Sequence, residues 1–405
     1  MPIIIQVNTY DGGSTGSIAR NIKNQVRQTN GESYFFYGRD SYHHETHLYE
    51  RKIQTSELHT FWHVLVTRLC DKHGLGSRIA TRRFVKQIEE LKPDIIHLHN
   101  IHGYYLNYKI LFEYLAKSGI PVVWTLHDCW SFTGHCAHFV DVNCMRWQTE
   151  CTNCPLKSSY PKSYIDRSKR NFRLKKLLFN NLGEQLTIVP VSNWLQNYVE
   201  QSYLQQHQIR TIHNGVDISI FKPFEPVQNV HKKAKIILGA ASVWNTAKGL
   251  DDFIKLREML SEDVVIKLVG LTKEQVANMP LGIIGIERTS CVEDLVHLYA
   301  EADVFVNPTY ADTFPTVNLE ALACGTPVIT YRTGGCPEAV TSETGIVVVQ
   351  GNLKELKDAI MTVLSNGKQH YSQACRKRAE EHFDKNKCFQ QYIDLYNEIL
   401  ANKNI

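Results

Sequence analysis

Two carboxylates, Asp312 and Glu320, lie eight residues apart around a predicted helix start. A buried-strand pattern ends at Asn307, a loop then carries Asp312, and Pro315 with Thr316 suits the first turn of a helix. Glu320 would lie about one turn into that helix, so both carboxylates can converge on one ligand, while the helix N-terminus between them attracts its negative part. A sugar nucleotide has this layout, with hydroxyls at both ends and a diphosphate in the middle. A buried helix with ordinary capping carboxylates is the alternative.

A glycine-rich loop, Asp11-Gly12-Gly13-Ser14-Thr15-Gly16-Ser17, follows the first apolar run and precedes a helical pattern. Glycines there let backbone N–H groups approach an anion, and the helix N-terminus adds a favourable dipole. A plain strand–helix turn is the alternative. The spacing matches neither the Walker pattern nor the dinucleotide fingerprint, which argues against a P-loop ATPase or a dehydrogenase.

Four cysteines form a third cluster, with seven, six and two residues between successive members: Cys136, Cys144, Cys151 and Cys154. Four thiolates can hold a structural zinc ion in tetrahedral geometry. The spacing is not that of a common zinc finger, so reduced thiols that pack a loop insertion are the alternative. In either case the cluster is not expected to take part in a reaction.

Histidines are concentrated between His97 and His138. The alternation His97-Leu98-His99 is typical of a strand end that lines a pocket. This pattern favours a pocket lined by His99 and Asn100 over a histidine metal site.

The segment Arg167–Phe179 carries six basic residues and no acid. On a helix, Lys169, Arg173 and Lys176 would share one face, and leucines would share another. Such a helix can lie on an anionic membrane surface. A solvated basic face over a core stripe is the alternative.

The composition is that of a folded protein of ordinary charge. The chain has 405 residues, 43% hydrophobic and 21% charged, and a formal net charge of +4. That charge is too small to indicate a nucleic-acid partner, and no apolar run reaches the roughly 18 residues that cross a bilayer. The N-terminus has no signal-peptide pattern, and eleven cysteines are an odd number, so we predict a cytoplasmic protein without a disulfide framework.

Short apolar runs alternate with longer amphipathic stretches, which indicates repeated strand–helix units with parallel sheets. Ten strands are predicted: Ile3–Val7, Tyr34–Tyr37, Asp94–His99, Val122–Leu126, Thr187–Val191, Ile236–Ala240, Val265–Val269, Val304–Asn307, Val328–Tyr331 and Gly345–Val349. A gap in this series, at about 214–231, predicts two doubly wound α/β domains, 1–214 and 215–384. Phe221–Pro226 has linker character, and the predicted helix within 385–405 would return to the first domain.

Several blocks together resemble a known family. They are Glu320-Ala321-Leu322-Ala323-Cys324-Gly325-Thr326-Pro327-Val328, His213-Asn214-Gly215-Val216-Asp217, Lys248-Gly249, Gly334-Gly335-Cys336-Pro337-Glu338 and Thr125-Leu126-His127-Asp128-Cys129-Trp130. Together they resemble the family-four retaining glycosyltransferases, and the last block is similar to the colanic-acid and exopolysaccharide type. The resemblance implies the GT-B fold, in which two Rossmann-like domains face each other.

The resemblance also implies roles for residues of the second domain. Glu320 would bind the nucleotide ribose, and Asp312, in the place of the family's first Glu, would bind hydroxyls of the donor sugar. Lys248 and backbone N–H groups near Phe314-Pro315-Thr316-Val317 would hold the diphosphate. Asn214 belongs to a matching block and is expected to bind substrate.

In the first domain, the resemblance implies that His127 faces the donor sugar and that Gly13 and Ser14 lie near its phosphates. His99 and Asn100 would line the acceptor pocket.

The family often has an arginine five residues before the lysine that corresponds to Lys248. In this sequence that position is Val243, or Ser242 if the loop is one residue longer, so the arginine is missing. Arg288 could compensate for it, or be a solvated loop residue.

The resemblance therefore implies a retaining glycosyltransferase that moves a hexose from a UDP- or GDP-sugar to a glycan or lipid-linked glycan in surface polysaccharide biosynthesis. No catalytic metal and no nucleic acid are expected. Peripheral contact with the inner face of the membrane, through Arg167–Phe179, would bring the enzyme to a lipid-linked acceptor. The alternatives are another GT-B activity, such as a nucleotide-sugar epimerase or a phosphorylase, and a zinc-bearing nucleic-acid-binding protein.

Overall fold

The structure, a computed structural model, describes residues 1–29, 31–41, 49–53, 56–224 and 234–403. The chain divides into two compact units, Met1–His213 with Phe389–Ile405 and Asn214–Cys388. Within the described ranges, no helix is both long and apolar enough to cross a bilayer.

The first unit is built on a parallel sheet. Its strands are β1 (Ile3–Tyr10), β2 (Glu32–Arg39), β3 (Glu50–Lys52), β4 (Ile95–Leu98), β5 (Val122–Leu126), β6 (Leu186–Pro190) and β7 (Gln208–Ile209). Among the described residues they pair in the order β3-β2-β1-β4-β5-β6-β7, all in parallel. Every residue of β4, β5 and β6 is buried, as a parallel sheet with both faces covered requires.

Helices of the first unit follow its strands. They are α1 (Gly13–Gln28), α2 (Glu57–Cys70), α3 (Arg78–Leu91), α4 (Tyr108–Ser118), α5 (Ser168–Asn180) and α6 (Asn193–Glu200). Most bury one apolar stripe: in α3, for example, Phe84 and Ile88 are buried while the neighbouring charged residues are exposed. This is the period expected of a helix that packs on a sheet.

The second unit repeats this plan. Its strands are β8 (Lys235–Ala240), β9 (Val264–Val269), β10 (Ile283–Ile286), β11 (Val304–Asn307), β12 (Val328–Tyr331) and β13 (Gly345–Val348). They form a parallel sheet in the order β10-β9-β8-β11-β12-β13. Its helices are α7 (Leu250–Met259), α8 (Lys273–Ala277), α9 (Val292–Glu301), α10 (Thr316–Ala323), α11 (Leu353–Asn366) and α12 (Lys368–His382).

The last helix, α13 (Lys385–Lys403), belongs to the first unit from Phe389 onward. Tyr396 accepts a hydrogen bond from Gln6 Nε2 of β1 at 3.1 Å, and Tyr392 accepts one from Thr125 Oγ1 of β5 at 3.0 Å. The predicted return of the C-terminal helix to the first domain is therefore confirmed.

All ten predicted strands are present within a few residues of their predicted ends, and both sheets are doubly wound, as predicted. The structure has three further strands, β3, β7 and β10, that were not predicted. Part of the predicted linker is packed: the ring of Phe224 stacks on His297 of α9 with centroids 4.1 Å apart. Glu225 and Pro226 lie outside the described residues.

The order of strands tells where each unit can bind a ligand. In a doubly wound sheet the crevice lies beyond the carboxyl ends of the strands, where the strand order reverses. That point is between β1 and β4 in the first unit and between β8 and β11 in the second. The loops that follow these four strands carry most of the predicted site residues.

Candidate active site

In the second unit, the loops after β8 and β11 meet through an ion pair. Lys248 Nζ lies 2.7 Å from Asp312 Oδ2, and both side chains are partly exposed. Burial alone would lower the pKa of Lys248, but the charge of Asp312 and its hydrogen bond outweigh burial and raise it. A full positive charge is therefore fixed at the carboxyl edge of this sheet.

Two glycines make this approach possible. Gly249 has φ +75°, and a Cβ there would lie 2.3 Å from the carbonyl oxygen of Pro308, just after β11. Gly334 has φ +55°, and a Cβ there would lie 1.7 Å from the carbonyl oxygen of Asp312. Both positions combine a left-handed backbone with close backbone contact, which only glycine tolerates. The two glycine blocks of the sequence thus hold the loops that carry Lys248 and Asp312.

Glu320 lies on α10, and its carboxylate is held by a neighbouring helix. Tyr299 of α9 donates a hydrogen bond to Glu320 Oε2 at 2.9 Å. Burial raises the pKa of Glu320, while the hydrogen bonds from Tyr299 and Thr316 oppose that rise. Glu320 keeps part of its surface exposed, so the carboxylate can still accept bonds from a ligand. Tyr299 was not predicted, because nothing in the sequence marks it as a partner.

The N-terminus of α10 lies between these groups in the sequence. Pro315 precedes the first helical residue, and the N–H groups of a first helical turn have no partner within the helix. Asn214 Nδ2 donates to the carbonyl oxygen of Phe314 at 3.1 Å, which holds the loop that enters the helix. Asn214 therefore contacts the predicted diphosphate segment, while Thr316 and Val317 supply the first N–H groups.

Arg288 lies elsewhere in this unit, in the loop after β10. It lines an open groove with Asp294, His297 and Glu301 of α9. Its predicted compensation for a missing arginine stays a prediction.

In the first unit, Gly13 and Ser14 begin α1 directly beyond the end of β1. Gly13 has φ +70°, and both residues are exposed or nearly so. Asn8 connects them with the loop after β4, since its Oδ1 accepts from the backbone N–H of Asn100 and its Nδ2 donates to Thr15, each at 3.2 Å. The structure thus brings the glycine-rich loop and Asn100 together, and Asn8 is a residue that sequence reasoning missed.

His127 follows β5 and contacts His99, which follows β4. His127 Nε2 and His99 Nδ1 are 3.1 Å apart. Burial lowers the pKa of His127 to about 4 and that of His99 well below its usual range, so both rings are neutral at pH 7. The ring of His99 is buried between His127 and Gln6, and its predicted contact with an acceptor stays a prediction.

The loop after His127 is fixed by Asp128. Its Oδ2 lies 2.9 Å from His102 Nε2, and its Oδ1 accepts from the N–H of Trp130 at 2.8 Å. Burial alone would raise the pKa of Asp128, but His102 and the N–H of Trp130 lower it to about 2.

The four cysteines predicted as zinc ligands, Cys136, Cys144, Cys151 and Cys154, do line one small cavity. In the part of the chain that the structure describes, however, no three or more His, Cys, Asp or Glu side chains are arranged to hold a metal ion. The N–H of Gly134 donates to Cys151 Sγ at 3.2 Å, and all four thiols are unbridged. Structural zinc is therefore unsupported, and thiols that pack a loop are the arrangement observed.

The basic segment Arg167–Phe179 corresponds to α5, and its charges differ in their surroundings. Lys175 is buried, donates to the carbonyl oxygens of Trp130 and Thr133 at 2.7 and 3.1 Å, and lies over the Trp130 ring. Lys169 and Arg173 pair with Glu150. Leu177, predicted to share an apolar face with the core leucines, is 69% exposed. These contacts therefore neutralise part of the predicted basic face, namely Lys169 and Arg173.

Comparison with known proteins identifies related sequences over most of the chain. Residues 30–220 match the family model described as Glycosyltransferase Family 4, and residues 221–382 match Glycosyl transferases group 1. WcaC of Escherichia coli (strain K12), named as a colanic acid biosynthesis glycosyl transferase, is 26% identical over 98% of this chain and 100% of its own length.

Of two further similar proteins, one is matched over a smaller part of this chain and the other has a lower sequence identity. N,N'-diacetylbacillosaminyl-diphospho-undecaprenol alpha-1,3-N-acetylgalactosaminyltransferase of Campylobacter jejuni subsp. jejuni serotype O:2 is 28% identical over 43% of this chain and 47% of its own length. The crystal structure of Anabaena Alr3699/HepE in complex with UDP-glucose has a TM-score of 0.64 at 17% identity, covering 98% of this chain and 99% of that one. At that identity the likeness shows the fold alone.

Proposed function

Since the chain is a family-four glycosyltransferase with the GT-B fold, we propose that it transfers a hexose with retention of anomeric configuration. The donor would be a UDP- or GDP-hexose, and the acceptor a glycan or lipid-linked glycan of a surface polysaccharide. The observation that carries this proposal is the ion pair of Lys248 and Asp312, which shares a unit with α10 and Glu320. These groups match the diphosphate, sugar and ribose of such a donor.

The proposed reaction is a front-face substitution. The bond between the sugar C1 and the phosphate oxygen breaks, and the acceptor oxygen forms a bond to C1 on the same face. The acceptor proton passes to the departing diphosphate, whose charge is stabilised by Lys248 and the first N–H groups of α10. Asp312 would bind hydroxyls of the donor sugar, and the role of His127 toward the donor stays a prediction. This scheme needs no catalytic metal.

The choice of donor and acceptor draws on the relatives. The Anabaena structure contains UDP-glucose, so UDP-hexoses are the first donors to test. The name of the WcaC relative refers to colanic acid biosynthesis, and that of the Campylobacter jejuni relative refers to a diphospho-undecaprenol substrate. Both support a carbohydrate acceptor, and the second supports a lipid-linked one.

Replacing Glu320 by alanine is expected to weaken UDP binding by about tenfold to a hundredfold, because it removes a charged acceptor of two ribose hydroxyl bonds. Slow UDP release from UDP-hexoses, measured without acceptor, should fall in parallel. Calorimetric titration with UDP and GDP measures the affinity, and Glu381→Ala, on an exposed ion pair of α12, is the matched control. If the wild-type protein binds neither nucleotide, the proposed function is contradicted.

We also propose peripheral contact with the membrane that carries a lipid-linked acceptor. In the segment Arg167–Phe179, the basic residues Arg170 and Lys176 are exposed, and so is Leu177. A second surface of the same unit is more apolar, since α2 exposes four large side chains at helical spacing: Leu58, Phe61, Trp62 and Leu69. Exposed aromatic side chains with nearby basic residues are typical of helices that lie in the membrane interface.

Replacing both Phe61 and Trp62 by serine is expected to reduce binding to phosphatidylglycerol vesicles by at least about tenfold, since each ring contributes burial free energy. Charge reversal at Arg170 and Lys176 should reduce binding further, by about 1 kcal/mol per charge. Vesicle sedimentation measures the bound fraction, with Leu281→Ser, at a position 99% exposed in the second unit, as control. Equal binding by all variants would contradict membrane contact here.

A further inference from the structure

Seven buried or nearly buried side chains form one continuous chain of hydrogen bonds in the first unit, from α13 to His127. The first three contacts are His127 Nε2 to His99 Nδ1 at 3.1 Å, His99 Nε2 to Gln6 Oε1 at 3.0 Å, and Gln6 Nε2 to Tyr396 Oη at 3.1 Å. The next three are Tyr396 Oη to His97 Nδ1 at 2.5 Å, His97 Nε2 to Thr125 Oγ1 at 2.7 Å, and Thr125 Oγ1 to Tyr392 Oη at 3.0 Å.

The orientation of Gln6 determines which atom donates in each of these bonds. Gln6 Oε1 is a carbonyl oxygen and only accepts, so His99 Nε2 carries a hydrogen. Because burial keeps His99 neutral, its Nδ1 then has a lone pair and accepts from His127 Nε2–H. His127 is consequently the Nε2–H tautomer, and its Nδ1 is the acceptor nitrogen.

The other half of the chain agrees with this direction. Gln6 Nε2 donates to Tyr396, whose hydroxyl hydrogen is then left to donate to His97 Nδ1. His97 Nε2–H donates to Thr125, and the Thr125 hydroxyl donates to Tyr392. Within this series of bonds, each of the five groups between His127 and Tyr392 donates once and accepts once. Reversing Gln6 would require every one of these bonds to reverse and would place the hydrogen of His127 on Nδ1.

We propose that Gln6, His99 and Tyr396 are positioning residues, which hold His127 in place as its Nε2–H tautomer. The importance of this chain for the reaction rests on the proposed function and on the prediction that His127 faces the donor sugar. A ring that is fixed at one nitrogen keeps a constant orientation and tautomer, so it need not reorganise when the sugar binds. The C-terminal helix thus contributes to the site without touching substrate.

The chain of hydrogen bonds contains two tyrosines that form a matched pair for testing this proposal. Tyr392 and Tyr396 lie one helical turn apart on α13, and both are buried. Tyr396→Phe removes the hydroxyl between Gln6 and His97, so the orientation of Gln6 loses its support. Tyr392→Phe removes a hydroxyl at the far end and leaves all bonds between Tyr396 and His127 in place.

The experiment is ¹⁵N NMR of the full-length protein with labelled histidine, in which long-range couplings distinguish the tautomers and His127→Asn assigns the His127 signals. We expect His127 with a protonated Nε2 in the wild type and in Tyr392→Phe, and a mixture of tautomers in Tyr396→Phe and Gln6→Met. The rate of UDP-hexose turnover should fall by about tenfold in the latter two with little change in KM, as for groups that orient a functional histidine.

Three results would overturn the proposal: a protonated Nδ1 on His127 in the wild type, an unchanged tautomer in Tyr396→Phe, or equal rate losses in the two tyrosine variants. The NMR measurement needs no turnover. If the wild-type protein releases no nucleotide from any donor, the proposed function fails while the positioning chain is still tested.

Discussion

Replacing Lys248 by methionine is expected to lower kcat by about a hundredfold to a thousandfold, with a much smaller effect on the KM for the donor. The ammonium group lies 2.7 Å from Asp312 in the free enzyme and would stabilise the charge that develops on the departing diphosphate. Loss of one preorganised group of this kind costs about 2.7–4 kcal/mol of transition-state stabilisation. Methionine keeps most of the side-chain volume, so the loop after β8 should stay folded.

Steady-state kinetics with a UDP-hexose and acceptor, or the acceptor-independent release of UDP, would measure this loss. Lys377→Met is the matched control, because Lys377 also forms an ion pair in the second unit, with Glu381 on the exposed side of α12. A rise in KM with unchanged kcat would show that Lys248 binds the donor equally in the ground and transition states. That outcome would contradict its role at the leaving group.

Replacing Gly334 by alanine is expected to lower kcat/KM by about a hundredfold or more. The new Cβ would lie 1.7 Å from the carbonyl oxygen of Asp312, so the loop after β11 must move away. A displacement of about 1 Å at a substrate-binding group is enough for a loss of this size. The left-handed backbone, with φ +55°, adds about 1–2 kcal/mol of destabilisation.

Gly119→Ala separates these two effects. Gly119 also has a positive φ, +65°, but a Cβ there meets no atom within 4 Å. Urea unfolding should therefore show a loss of stability in both variants, whereas only Gly334→Ala should lose most of its activity. If the two variants keep equal activity, the loop does not depend on contact between Gly334 and Asp312.

The fold was predictable where a strand is apolar and central. Such strands are buried on both faces, so their sequences are mostly apolar, as in β5, where every residue of Val-Val-Trp-Thr-Leu is buried. The strands β3 and β7 escaped because they are edge strands of three and two residues, with sequences Glu-Arg-Lys and Gln-Ile that carry no such signal. Backbone pairing alone defines them, and that pairing depends on the neighbouring strand.

The candidate site was predictable only in part, because its contacts join residues far apart in the sequence. Motifs identified Lys248 and Asp312, but their ion pair spans 64 residues and depends on β8 and β11 being neighbours. The contact of Gln6 with Tyr396 spans 390 residues. Tyrosine and glutamine are common residues, so no spacing could have shown that they meet.

Two interpretations were limited by what a sequence pattern can show. The cysteine spacing left structural zinc and packed thiols as alternatives, because a pattern of thiols does not reveal where each sulfur points. The basic run on α5 predicted a charged face of Lys169, Arg173 and Lys176, and the run also includes Lys175, whose long side chain reaches inward to buried carbonyl oxygens. Charge counted along a helix therefore overestimates the charge that its surface presents.

The buried Lys175 couples folding of the first unit to proton release. Burial lowers its pKa to about 7 from the usual 10.5, and a neutral amine still has the two hydrogens that Trp130 and Thr133 accept. Between these pH values the unfolded chain holds a proton that the folded chain has lost, so stability rises with pH across this window.

The buried thiol of Cys129, which precedes Trp130 in the sequence, acts in the opposite direction. Burial raises its pKa well above the usual 9.0, so above that pH only the unfolded chain releases the thiol proton, and stability falls. The contribution of these two groups therefore rises from about pH 7 to about pH 9, and between pH 9.0 and 10.5 their linkages oppose each other. Below about pH 7 the lysine is charged in both states and its contribution no longer varies.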